Sequence, residues 1–371
     1  MGKLADAFDA KGVFPLFEQF FTHSVRTLLE QRFKSDKLMA ILSTDGLIGT
    51  AAGPSDLGTA YVLLHHYMGK AVGSRGAWGY VRGGMGSLTR ALSETAKGYG
   101  AVILTDQEVV SIDVLSDRVT GVTCADGRIY KSKQVLSNAH PTTTYNLTGV
   151  NLPSEIQESM NRWRTQGVSC KINIAVSELP NFTAMPGTAS GPQHSGTVHL
   201  APSMDFLDKA WQDCKDGHPS VEPMVEVYMQ SATDGTLTPN GKHMISCFTQ
   251  YYPYKLASGL DPASEEKAYV DRVLQTVARF APNVPKSIEN IQVLTPTKLE
   301  EQFGLLGGHI FHGEITPNQM FGGRYGISDS LTPISGLYIC GSGAWPGGCV
   351  SGIPGSNAAR AALLDTKKKN H

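Results

Sequence analysis

No apolar run in the 371-residue sequence approaches the ~18 residues a membrane-spanning helix needs. The N-terminus has no signal-peptide pattern, because Lys3, Asp6 and Asp9 interrupt it, and it is not an Arg-rich, acid-poor transit peptide. Six cysteines, at 124, 170, 214, 247, 340 and 349, include no C-x-x-C pair. That argues against a zinc ribbon, a disulfide framework and a redox dithiol, and fits reduced thiols inside a cell. Charge is sparse, at 18% of residues and a net −1, so the basic face that nucleic acid would require is missing. The chain shows no internal repeat and no low-complexity tract. No metal site is expected. The adjacent His65 and His66 point to different faces of a helix, which marks them as core or pocket histidines. No acid–base pair is dictated by the sequence, and catalytic residues stay unassigned.

Glycine is what the chain does have. Seven glycines lie from Gly336 to Gly355 inclusive. Leu337 to Cys340 reads as a short buried strand, and Ala358 to Leu364 as a helix of strong helix formers. Pro354 stands where that helix would begin, a tolerated position for a residue without an N–H. Strand, glycine turn and helix N-terminus together suit an electron-rich ligand. A second glycine turn, Arg82-Gly83-Gly84-Met85-Gly86, feeds a helix over Thr89 to Tyr99.

The remaining pattern predicts one amphipathic helix over 13–34, two short helices within 38–68, and strands at 101–104 and 108–114. Asp126-Gly127 predicts a hairpin between Arg118–Cys124 and Arg128–Val135. A helix follows at 150–165. Alternating strands over 168–176, 224–229 and 244–251 suggest an antiparallel sheet. A long loop is expected at 180–203, a helix at 263–281 and a strand at 288–294. His312 and Glu314 share one face if their segment is a strand; a structural pair is favoured over a role in chemistry. Arg324 reads either as a carboxylate anchor or as an ion-pair partner. Trp78, Tyr80 and Trp345 line either an aromatic substrate pocket or a core.

Four motifs, in order and spacing, resemble the flavoprotein superfamily of amine oxidases and phytoene desaturases. They are Arg82-Gly83-Gly84-Met85-Gly86-Ser87-Leu88, Val135 to Pro141, Gly308-His309-Ile310-Phe311-His312-Gly313-Glu314, and Leu337 to Gly343 with Trp345-Pro346-Gly347-Gly348. The likeness runs from about residue 38 to 365. It implies an α/β plus α+β architecture: a partial two-domain FAD/NAD(P)-binding oxidoreductase fold. Residues 75–149 and 330–371 would form a discontinuous, partial FAD-binding domain, and 1–74 with 150–329 a substrate-binding domain.

By that resemblance the cofactor is FAD. Val109 would lie beside the adenine through its backbone. Gly341 and Ser342 would face the ribityl and pyrophosphate, and Gly348, Cys349 and Val350 the flavin ring. Gly83, Gly84, Asn138 and Ala139 complete the expected cofactor-binding set. An acidic residue is usual where Ser342 stands, and glycine where Cys349 stands. The superfamily's opening G-x-G-x-x-G fingerprint does not occur here, so about 150–180 residues, one domain's worth, are expected to be missing at the front. The implied activity is hydride transfer from an apolar or aromatic small molecule to flavin, with a homo-oligomer or protein partner possible. The alternative is a non-catalytic truncated product that binds no flavin and acts as an interaction protein. Animal members of the branch are mitochondrial, which implies the same location here.

Overall fold

The computed structural model describes residues 12–321 and 330–368. Arg324 therefore lies outside the described residues. The N-terminal helices are α1 (Phe14–Thr22), α2 (Val25–Glu30), α3 (Asp36–Thr44) and α4 (Thr59–Tyr67). The single helix predicted over 13–34 is broken at His23 and Ser24. Ser24 is extended, and its hydroxyl accepts the Thr27 N–H, which starts a new helix. A small hairpin follows, β1 (Lys70–Ala71) with β2 (Ser74–Arg75), and then α5 (Met85–Gly98).

Strands β3 (Val109–Leu115), β4 (Arg118–Cys124) and β5 (Ile129–Lys131) form an antiparallel sheet. The Asp126-Gly127 hairpin is present, but its second arm ends early. Residues 132–134 turn the chain, and β6 (Val135–Ser137) pairs elsewhere. Ala101 to Leu104 form no strand; all four are exposed, and no neighbour among the described residues offers them a ladder.

Two helices, α6 (Pro141–Thr148) and α7 (Ser154–Arg162), lead into the largest sheet. It contains β7 (Ser169–Val176), β8 (Thr197–Leu200), β9 (Met224–Tyr228), β10 (His243–Gln250) and β11 (Ile288–Leu294), in the antiparallel order β11-β7-β10-β9-β8. Strand β8 sits inside the expected loop 180–203; four residues set between turns are too short for a visible alternation. Helices α8 (Met204–Lys215) and α9 (Pro262–Phe280) flank the sheet. Period-two alternation sends Cys170, Ile172, Ile174, Val225, Val227, Ile245 and Cys247 to one face, where they pack on Tyr269, Val270, Val273 and Val277 of α9. Tyr269 is fully buried, sets its ring edge-on to Tyr252 at 5.2 Å and donates its hydroxyl to Thr249 at 3.1 Å.

The chain closes with β12 (Leu337–Ile339) and the long helix Ile353–Lys368, called α10 here. Strand β12 runs parallel to β6, residue for residue from Leu337↔Val135 to Ile339↔Ser137. Ile112, Val119, Ile334 and Leu337 tie this pair to the three-stranded sheet, helped by the Val119 N–H on the Ser335 carbonyl at 3.0 Å. Tyr338 packs on Ala358 and Ala362 of α10. Beyond these contacts the region is thinly covered. Helix α5 buries none of its residues, and Leu92, Tyr99, Val102, Ile129 and Leu363 are exposed.

Candidate active site

The turn between β12 and α10 is tightly constrained backbone. Three of its glycines are required by packing. A Cβ on Gly341 would meet the Asn138 carbonyl at 2.6 Å, one on Gly343 the Pro141 ring at 2.5 Å, and one on Gly348 the Phe311 ring at 2.7 Å. Asn138 and Pro141 thereby come directly against the turn. The next two residues carry the sharper signal. Cys349 and Val350 both have positive φ, 80° and 55°, and both are exposed. For a β-branched residue that conformation is a genuine outlier, and such strain concentrates at ligand sites. Gly352 follows, also at positive φ and with open space where a Cβ would be. At the start of α10 the Ile353 N–H is held by the Ser351 hydroxyl at 3.2 Å.

Beneath the turn lies a buried block of ring and charged groups. His140 caps α6 with Nδ1, which accepts the Thr142 N–H at 3.1 Å. Its Nε2 faces the His312 carbonyl at 3.1 Å and so carries the ring proton. Its ring lies 5.2 Å from Trp163 and 5.6 Å from His312. Glu314 is buried; its Oε1 accepts the Ala51 N–H at 2.8 Å and its Oε2 lies 3.5 Å from the Arg164 guanidinium. Burial pushes the Glu314 carboxyl above its ordinary value, opposed by Arg164 and the Ala51 N–H. His312 and Glu314 do not share a strand face. Gly307, Gly308, His312 and Gly313 all have positive φ, which breaks any extended run there. Glu314 instead ties three segments together.

Phe311 links the turn to an aromatic wall. The His66 ring stands edge-on to Phe311 at 5.7 Å, and His65 lies 5.8 Å from His66. Trp78 stacks parallel to His66 at 6.1 Å with most of its surface open. Trp345 meets Phe321 at 5.1 Å. Trp78 thus stands at the surface, on the outer side of the ring cluster, rather than in a core.

Other expected site residues stand on other elements. Val109 belongs to the three-stranded sheet, paired with Cys124. The Gly83 N–H bonds Asp234 at 2.6 Å, and Gly84 sits against Leu237. Phe311, against Gly348, and His65, 3.8 Å from where a Cβ on Gly347 would stand, are neighbours that sequence reasoning did not assign to the turn. A 410 Å³ cleft lined by Ala51, Trp211, Lys215, Tyr254 and Lys255 lies on the other side of Ala51. Among the described residues, no helix is long and apolar enough to cross a membrane, and no three His, Cys, Asp or Glu side chains gather as a metal cage.

Comparison with known proteins gives consistent findings. The profile of flavin containing amine oxidoreductases matches residues 1–353. The chain is 42% identical over 364 residues to mouse pyridine nucleotide-disulfide oxidoreductase domain-containing protein 2, covering 95% of this chain and 62% of that protein. It is 25% identical to a lycopene-forming phytoene desaturase of Paracoccus, covering 84% of this chain and 59% of the other. Among solved structures it is similar to an oxidoreductase from Methanosarcina mazei (TM-score 0.61, 18% identity, 94% of this chain and 69% of that one). A redesigned putrescine oxidase gives a TM-score of 0.54 at 15% identity, covering 95% of this chain and 70% of that one. The chain thus spans about three fifths of the length of its mouse relative.

Proposed function

The chain belongs to the family of flavin containing amine oxidoreductases, and on that premise we propose that it forms part of an FAD-dependent oxidoreductase. In this reading it supplies the substrate-binding domain (1–74 and 150–329) and the C-terminal half of the flavin site (75–149 and 330–371). The observation that carries it is the exposed, left-handed pair Cys349 and Val350 on the turn before α10. Gly341, Ser342, Gly348, Cys349 and Val350 would hold the cofactor, with Asn138 and Ala139 behind them and Gly83, Gly84 and Val109 completing the set. FAD, when bound, supplies the acceptor for a hydride taken from substrate. The protein's part is to fix the turn, orient substrate against the Phe311, His66 and Trp78 wall, and exclude water.

The same reading accounts for the bare side of the molecule. Helix α5 has an unburied apolar stripe, and the β6–β12 pair is parallel, an arrangement normally covered on both faces. A strand–turn–helix unit carrying a glycine fingerprint would cover both. We carry mitochondrial placement with this proposal; fractionation of cells expressing the tagged chain tests it.

Flavin retention is the direct test. Chain purified after incubation with FAD, alone and co-expressed with the front segment of a full-length relative, is desalted and its visible absorbance read. Stoichiometric flavin that is lost in Gly348→Val supports the proposal. Colourless protein in both arms favours the non-catalytic interaction protein, for which the bare apolar face is the supporting observation.

A further inference from the structure

The small hairpin β1–β2 breaks two local rules at once. Its loop is Val72-Gly73, and both residues have positive φ, 48° and 86°. That is the pattern of a tight two-residue turn, where Asn-Gly or Asp-Gly is the usual pair because a β-branched side chain resists the conformation. Val72 is disfavoured by its backbone and gains no packing in return, since it is 101% exposed. The second rule concerns charge. Lys70 stands directly opposite Arg75 in the ladder, and like charges so placed repel. The surrounding sequence does not relieve them. No acidic residue occurs from Leu57 to Ser93, where 33 acids in 371 residues would place about three, yet Lys70, Arg75, Arg82 and Arg90 all fall there. Asp45 and Asp234, which approach from other elements, are engaged. Asp45 accepts the Tyr67 hydroxyl. Asp234 accepts the Gly83 N–H and the Thr236 hydroxyl, each at 2.6 Å. The flanks add apolar surface. Met68, Tyr67 and Tyr80 are exposed, and Trp78 stacks one face on His66 while 69% of it stays open. The Gly76 N–H on the Gly69 carbonyl, at 2.8 Å, closes the base of the hairpin.

Both violations are relieved by one kind of surface, anionic outside with an apolar layer just beneath. We propose that this hairpin docks the chain on an anionic lipid membrane. Val72 and Met68 enter the headgroup region, Trp78 and Tyr80 sit at its level, and Lys70, Arg75 and Arg82 meet lipid phosphates. The chain then lies on the bilayer and does not span it, because the inserted tip is only a turn. An acidic protein face would answer the cations but not the projecting valine, which needs an apolar layer under the charge. The docking is a property of the hairpin and does not rest on flavin binding.

Cosedimentation of the full chain with vesicles decides it, alone and co-expressed with the front segment of a full-length relative. The chain is expected to bind phosphatidylcholine vesicles containing about one-third phosphatidylglycerol, and pure phosphatidylcholine at least about tenfold more weakly. Added salt weakens the first. Lys70→Gln with Arg75→Gln lowers affinity about thirtyfold, about fivefold per cation. Val72→Asn is the sharper variant. Asparagine suits the turn, so its melting curve stays at or above that of the parent chain, while vesicle binding falls about fivefold or more because the apolar tip is gone. Lipids brominated in the acyl chain quench the parent's tryptophan emission more than that of Trp78→Phe. Equal binding to both vesicle types, undiminished binding by Val72→Asn, or no binding to either overturns the proposal. Binding that vanishes only when the front segment is present overturns it too, and assigns the hairpin to the contact with that segment.

Discussion

The five-stranded sheet with α9 and the β3–β6, β12 region with α5 are built from similar strands yet stand very differently. The first has a closed apolar core, with Ile172, Ile174, Val227, Ile245 and Tyr269 all fully buried. The second has a parallel pair of three-residue strands and a fourteen-residue helix that buries nothing. The difference teaches that the first region closes its apolar core with its own helix, whereas the second leaves α5 uncovered among the described residues. Side-chain alternation suffices when a partner layer is in the same stretch of chain. It does not when the layer lies elsewhere.

The largest effect should come from hydrogen exchange. Amides of β7 and β10 are expected to exchange about a thousandfold more slowly than those of α5, read by mass spectrometry of peptides from each. Comparable protection in both would end the contrast; a rise confined to α5 on adding FAD or the front segment would sharpen it. Next, Tyr269→Ala should lower stability by about 3–5 kcal/mol in urea melts, because it empties a packed core. Leu92→Ala on α5 should change it by less than about 0.5 kcal/mol. Gly313→Ala lies between: a Cβ there runs into the Trp163 ring at a φ of 117°, and a loss above about 2 kcal/mol is expected.

The smallest effect is pH-dependent. Burial alone would lower the His199 pKa, but Glu226, with Asp45, more than offsets it, and the folded value is raised above 6.5. Its contribution to stability is thus full below that pH and fades as pH rises through the folded value. His199→Gln should accordingly cost most near pH 6 and least near about pH 9, by melts across that range. His66 has the opposite sign. Its folded pKa is lowered, so its neutral ring favours folding above 6.5, and that advantage is lost as pH falls. A variant at His66 should narrow its deficit on acidification.

Much of the larger sheet was legible in the sequence. Strands over 168–176, 224–229, 244–251 and 288–294, and the helix over 263–281, all stand within a few residues of their expected places. Each has a clear period of two or 3.6 and a partner within reach. The glycine turn and its helix were equally plain, since composition there exceeds what packing needs. The misses share a cause. Ala101 to Leu104 has strand composition but no neighbour; Thr197–Leu200 has a neighbour but too little sequence to show alternation. The 307–315 segment would set His312 and Glu314 on one face if it were a strand, yet positive φ at four residues folds it into turns.

The sequence by itself determined the local order: which stretches alternate, where glycine permits a left-handed turn, and which family the motifs resemble. These are short-range matters, fixed by side-chain sterics and periodicity. Only the tertiary structure decided that residues 135–137 and 337–339 run side by side, that Phe311 seats Gly348, and that the His140 ring faces the His312 carbonyl. Those pairings join segments about 40 to 200 residues apart, and the burial that creates them depends on every layer packed between.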